Sequence, residues 1–175
     1  IKKLVKFKRF VYNPEFLTER NSFDEFIKPK FHVIGGDKEF AFRLKKLYNY
    51  DSNCKPAPVY FMSVEEASLV KYGINAYLAM KVVWFNQWKD MCERTGVRYS
   101  VVANAIGSDD RVGHSHTVVP GFDGKRGYGG TCFPKDTAAI QNYGSVDLSI
   151  LKTVIEANND YRAGYEPMTP GFDGL

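Results

Sequence analysis

Several kinds of feature are scarce or missing in this chain of 175 residues. No run approaches the ~20 consecutive apolar residues that a membrane-spanning helix needs, so no membrane partner is expected. Cysteine is scarce: Cys54, Cys92 and Cys132 are widely spaced, odd in number and without a CxxC pair. That pattern argues against a disulfide framework or a zinc site and for reduced thiols in a cytoplasmic protein. Histidine is equally scarce, and His114 with His116 forms an isolated HxH, two ligands without a third, so no metal is expected. Charge of one sign is also lacking, since 24 basic against 20 acidic residues leave only +4. The basic run Lys2, Lys3, Lys6, Lys8, Arg9 has no aromatic or groove-reading module beside it. It reads as a solvated edge, and nucleic acid is not an expected partner. No recognisable signal peptide opens the chain. There is no GxGxxG turn anywhere.

What is present is 44% hydrophobic content, enough for one sizeable core. "RFVYNPEF" (9–16) reads as a strand running into a turn at Asn13-Pro14, and "FHVIGG" (31–36) as a second strand with a glycine stop. "DKEFAFRLKKLYNY" (37–50) offers Asp37 as N-cap and Phe40, Leu44 and Leu47 at helical spacing. "APVYFM" (57–62) is a third strand, and strand–helix–strand predicts part of a parallel sheet with a crossover helix. From Ser63 to about Thr95 runs one helical pattern, opened by Ser63 and Glu66 at capping-box spacing. At ~1.5 Å per residue it spans roughly 45–50 Å. Val70, Ile74, Tyr77, Leu78, Val82, Trp84, Phe85, Trp88 and Met91 cannot share one stripe. Such a helix is either the centre of its own core or covered by its own domain and a second subunit. Further helices are predicted over 99–106, 134–142 and 145–162, with a glycine-rich loop at 107–133. The expected fold class is therefore α/β: a partial parallel β-sheet, then an all-α domain with one long helix. The pentapeptide "PGFDG" occurs at 120–124 and again at 170–174, both times as a turn.

The chemistry concentrates in "GYGGTCFPKD" (127–136). Pro134 fits the first turn of a helix, where its missing N–H is not needed. A thiol at that point meets unpaired N–H groups and the positive end of the helix dipole, with Lys135 nearby, which favours the nucleophilic form. Gly127, Gly129 and Gly130 let backbone approach a ligand closely. The same local pattern equally fits a buried inert cysteine. Lys71 and Asn75, four apart, project from one face of the long helix. Lys71 reads either as a solvated lysine or as a charge held for a purpose among apolar neighbours.

"GYGGTCFPKD" resembles the active-site signature of the UDP-glucose/GDP-mannose dehydrogenase family, in particular its UDP-glucose 6-dehydrogenase branch. Four further stretches agree in the family's order: "NPEFLTE" (13–19), "EEASLVKYGINAYLAMKVVWFNQ" (65–87), "IGSDDRVG" (106–113) and "VIEANNDYR" (154–162). The resemblance implies oxidation of C6 of a nucleotide sugar from alcohol to acid, with two NAD+ per turnover and Cys132 as the nucleophile that holds the intermediate. It implies oxyanion stabilisation by Lys71 and Asn75, a water positioned by Asp136 and general-base work by Glu15. Phe16, Leu17, Tyr128, Gly129 and Phe133 are implied as substrate-binding, as is Arg111, which would reach across a dimer. Glu19 and Lys135 are implied on the cofactor side.

The departures matter too. Arg20 stands where the family's loop has glycine, and the phenylalanine and lysine of "CFPKD" favour UDP-glucose over N-acetylated sugars. GDP-mannose stays open. Without GxGxxG, the chain is expected to correspond to the last strands of a Rossmann-like NAD-binding domain (1–62), a central helical dimerisation domain (63–164) and a tail (165–175). Other segments, on this or on other chains, would then supply the rest. A homodimer through the long helix is implied. Two other classes compete: a non-catalytic dimeric remnant of the family, and a Cys–His hydrolase pairing Cys132 with His114 or His116.

Overall fold

The computed structural model describes residues 9–18, 20–144 and 146–164. Contacts divide the chain into two compact units, Ile1–Gly73 and Ile74–Leu175. The division falls inside the long helix.

The first unit contains β1 (Val11–Tyr12), α1 (Ser22–Ile27), β2 (His32–Gly36), α2 (Lys38–Tyr50), β3 (Val59–Met62) and the opening turns of α3 (Val64–Arg94). The sheet order is β1-β2-β3. β2 and β3 are parallel, with His32 opposite Val59 and Gly35 opposite Met62, and α2 is their crossover. β1 is antiparallel to β2, pairing Val11 with Gly36. His32, Val33, Ile34 and Gly35 are all buried, the mark of a central strand covered on both faces. Gly35 is required there, because a Cβ would lie 2.5 Å from the Ser63 carbonyl oxygen and 2.8 Å from the Ala67 methyl. The predicted capping box forms reciprocally. The Ser63 N–H donates to Glu66 Oε2 (2.6 Å) and the Glu66 N–H to Ser63 Oγ (3.1 Å).

The second unit holds the rest of α3 with α4 (Tyr99–Gly107), α5 (Cys132–Gln141) and α6 (Ser149–Arg162). One core cluster joins Ala79, Val83, Tyr128, Val154 and Tyr161; the other joins Phe85, Cys92, Tyr99 and Ala103. On the outside of α3, Tyr77, Trp84 and Met91 remain exposed. No described helix is long and apolar enough to cross a membrane.

Three details differ from the sequence reading. α1 was not anticipated: it is six residues long and buries none of them, too short for the spacing of Phe23, Phe26 and Ile27 to stand out. β1 is only two residues long, since only Val11 and Tyr12 ladder with β2. α5 starts at Cys132, two residues before Pro134, since the first-turn N–H groups are unpaired in any case. The first "PGFDG" closes as a turn through the Gly121 N–H to the Lys125 carbonyl and the Gly124 N–H to the Gly121 carbonyl. The second copy, the tail 165–175 and Glu19 lie outside the described residues.

Candidate active site

Cys132 heads α5 and is half-buried. Thr131, which precedes it, makes no side-chain cap bond, so no hydroxyl competes for the amides of the first turn. One turn along the same face stands Asp136, 3% exposed. A carboxylate buried this deeply needs partners. It has two: Asn75 Nδ2 on α3 donates to its Oδ2 at 2.5 Å, and Lys135 Nζ bridges to Oδ1. Asn75 is itself buried. Asn75, Asp136, Lys135 and Cys132 are thus brought together in the second unit.

The wall beside them is aromatic. Phe133 meets Tyr128 edge-on at 6.0 Å and tilts against His116 at 5.6 Å. Tyr128 is buried, which pushes its phenol up, and its hydroxyl lies 3.4 Å from Thr137 Oγ1. Gly129 rests on Arg162, whose Nη2 would lie 2.9 Å from any Cβ there, and Arg162 is held by Asp123 at 2.6 Å. Arg111 projects outward, its side chain 89% exposed and paired with Asp109.

The first unit assembles a second group. Lys71, 13% exposed along its side chain, donates Nζ to the Glu15 carbonyl (2.5 Å) and to the Glu15 carboxylate (2.9 Å). The other Glu15 oxygen accepts the Leu17 N–H at 2.8 Å, folding 15–17 into a tight turn. Phe16 lies under the Lys71 ammonium (5.7 Å) and against Phe31 (5.1 Å). The turn is anchored by Asn13, which donates to the Val33 carbonyl (2.7 Å) and accepts from the Tyr48 hydroxyl (2.8 Å).

The histidines serve packing. A Cβ on Gly107 would meet His114 Nδ1 at 2.6 Å, and His116 sits at φ +63° with its imidazole pushed down by burial. Among the described residues, no group of three or more His, Cys, Asp or Glu is placed to hold a metal ion.

Sequence reasoning missed four buried or half-buried polar residues that shape the loop before Cys132. Lys81 donates to the carbonyls of Val112 (2.7 Å) and Gly113 (2.9 Å). Arg126 bonds the Asn86 carbonyl at 2.8 Å and pairs with Asp90, lying over the Tyr161 ring. Asn86 and Asn158 receive backbone N–H groups of the glycine-rich stretch. For Lys81, Asn86 and Asn158 the available signal was a polar residue falling at a buried phase of its helix, while Arg126, in the loop, offered none.

A dinucleotide is a poor fit to these residues. The first βα turn of a Rossmann-like unit, with its glycine fingerprint, is where a pyrophosphate sits, and among the described residues the helix start after the parallel strand β2 is already capped. There Asp37 fills the position, its carboxylate accepting the Phe40 N–H at 3.1 Å. Arg9, then that N–H, hold its carboxyl down to about 2, so the cap is an ionised carboxylate paired with Arg9.

Comparison with known proteins gives a consistent result. The model of the UDP-glucose/GDP-mannose dehydrogenase family, central domain, matches residues 65–160. The UDP-glucose 6-dehydrogenase YwqF of Bacillus subtilis is 36% identical over 155 residues, covering 86% of this chain and 33% of that protein. The structure of a UDP-glucose dehydrogenase from Pyrobaculum islandicum superposes with a TM-score of 0.73 at 36% identity, over 85% of this chain and 33% of that one. A GDP-mannose dehydrogenase from Pseudomonas aeruginosa superposes with a TM-score of 0.54 at 28% identity, over 86% of this chain and 34% of that one. The chain spans about a third of the length of the curated relatives it matches.

Proposed function

We propose, from the premise that the chain belongs to the UDP-glucose/GDP-mannose dehydrogenase family, that it carries the nucleophile of an NAD-dependent nucleotide-sugar 6-dehydrogenase converting UDP-glucose to UDP-glucuronate. The observation that carries the reading is Cys132 at the head of α5, with Asp136 one turn away and bonded to the buried Asn75. NAD+, when bound, would supply the hydride acceptor for both oxidations, and Glu19 and Lys135 are the residues of this chain that would serve the cofactor side.

The thiol of Cys132 adds across the C6 aldehyde: the C–S bond forms, the π pair of the C=O moves to the oxygen, the S–H bond breaks, and its proton ends on that oxygen as the thiohemiacetal hydroxyl. The covalent bond keeps the aldehyde from escaping between the two oxidations. Lys71 and Asn75 stabilise the developing oxyanion. Donor counting supports both roles. The Lys71 ammonium has three N–H groups and Glu15 takes two; the Asn75 amide has two and Asp136 takes one. Each therefore keeps a proton for substrate. After the second oxidation the C6 carbon is a thioester. Asp136 positions water for attack on that carbon, Glu15 accepts its proton, and the C–S bond breaks to release the carboxylate and the thiol. Phe16, Leu17, Tyr128, Gly129 and Phe133 bind the sugar nucleotide, and the outward Arg111 reaches the site of a second subunit.

Timed alkylation with peptide mapping tests the nucleophile. Cys132 should be labelled well before Cys54 and Cys92, which are buried. Earlier labelling of either buried thiol would leave Cys132 an inert core residue and the chain a non-catalytic member of its family.

A further inference from the structure

Two consecutive N–H groups of the glycine-rich loop end on buried side-chain amides. The Gly127 N–H donates to Asn86 Oδ1 on α3 at 3.1 Å, and the Tyr128 N–H donates to Asn158 Oδ1 on α6 at 2.6 Å. Asn158 also returns a bond, its Nδ2 donating to the Tyr128 carbonyl at 3.2 Å. One amide therefore engages both the donor and the acceptor of a single residue, fixing its orientation as well as its position. Asn158 is 4% exposed. Gly127, at φ +73°, is pressed so close that a Cβ would fall 2.6 Å from Asn158 Oδ1.

Tyr128 carries the constraint forward. Its ring packs in the core against Phe133, and its hydroxyl approaches Thr137 on α5. Between this fixed residue and Cys132 lie Gly129, Gly130 and Thr131 alone.

We propose that Asn158 is the positioning residue for Cys132: by clamping both ends of the Tyr128 backbone it sets where the loop delivers the thiol at the start of α5. The inference rests on the reading of Cys132 as the nucleophile, and Asn158 acts through the loop. The clamp needs a donor and an acceptor together. An aspartate of the same shape keeps the acceptor but, when ionised, sets negative charge against the Tyr128 carbonyl. Protonated, it offers both groups again. The charged neighbours are already paired, Arg126 with Asp90 and Arg162 with Asp123, while the Tyr161 hydroxyl donates to Asp90. An aspartate introduced at 158 therefore reports mainly on its contact with Tyr128.

The test compares the chain with its Asn158→Asp and Asn158→Ser variants by amide hydrogen exchange over 125–131. Each thiol's rate with a dithiodipyridine reagent, usable from acid to neutral pH, is measured in parallel. At neutral pH both variants should exchange the loop amides about tenfold faster, as expected for a lost buried polar contact. The Cys132 rate should change several-fold, with Cys54 and Cys92 unaffected. On acidification the aspartate variant should return to wild-type behaviour, and the serine variant should stay altered throughout. Wild-type loop exchange in both variants overturns the proposal. So does a parallel acceleration of all three thiols, which would make Asn158 a general support of the fold. Should the aspartate variant fail to fold at neutral pH, the serine variant decides alone. Failure of the nucleophile reading looks different, because Cys132 would then not be the fastest thiol in the unmodified chain.

Discussion

At the scale of single residues, the question is why a carboxylate as buried as Asp136 is retained beside a thiol. Its two oxygens are satisfied by unlike donors, a neutral amide from α3 and the ammonium of its own neighbour Lys135. Removing the amide leaves a buried acceptor short of one charge-assisted bond, which costs roughly 1.5–3 kcal/mol. Asn75→Ala should accordingly destabilise the helical unit by about 2 kcal/mol in urea unfolding. A loss below about 0.5 kcal/mol, the range of an ordinary surface change, would mean that the Asn75–Asp136 bond does not organise the site. Lys71 follows the same logic in the first unit. Its ammonium is held by one glutamate through carbonyl and carboxylate together, so the side chain is fixed before any ligand arrives.

At the scale of elements, α3 presents a stripe the core does not use. Tyr77, Trp84 and Met91 are exposed at seven-residue spacing, with Trp84 stacked on Trp88 at 4.8 Å. Beside them, Met80, Val83, Trp84, Gln87, Thr153, Val154 and Ala157 line a cavity of about 110 Å³. Heptad-spaced apolar residues beside a groove suit the ridge of another helix, and a second copy of this chain is the proposed occupant. Sedimentation at micromolar concentration should give twice the chain mass, and Trp84→Glu should return it to the monomer. A monomeric wild type would refute the pairing. Much of this element structure was legible in advance: the Ser63–Glu66 box, the Asp37 cap and the length of α3 follow from local rules. α1 was not, because Phe23, Phe26 and Ile27 repeat at helical spacing over only six residues, too few to read as a period. The placing of Asn86, Asn158 and Lys81 was illegible as well. A polar residue in an apolar helix announces burial, but its partner comes from a loop whose path only tertiary packing decides.

At the scale of the molecule, the chain carries chemistry-bearing side chains without a GxGxxG turn. Asp136 and Asn75 are buried with the half-buried Cys132 one turn away, whereas among the described residues the helix start after β2 is capped by Asp37. Hydride transfer depends on holding the nicotinamide near C6, and much of the rate advantage comes from that positioning. The chain by itself should therefore not reduce NAD+ with UDP-glucose above background. The most direct measurement is NADH formation, followed by absorbance, from UDP-glucose and NAD+ at millimolar levels. It compares this chain alone, the chain fused to the remaining segments of a full-length relative such as YwqF, and the same fusion carrying Cys132→Ser. The account predicts no turnover by the chain alone, two NADH for each UDP-glucuronate formed by the fusion, and loss of that turnover with serine at 132. Full two-step oxidation by the serine fusion would contradict it, because the second oxidation would then need no sulfur at all.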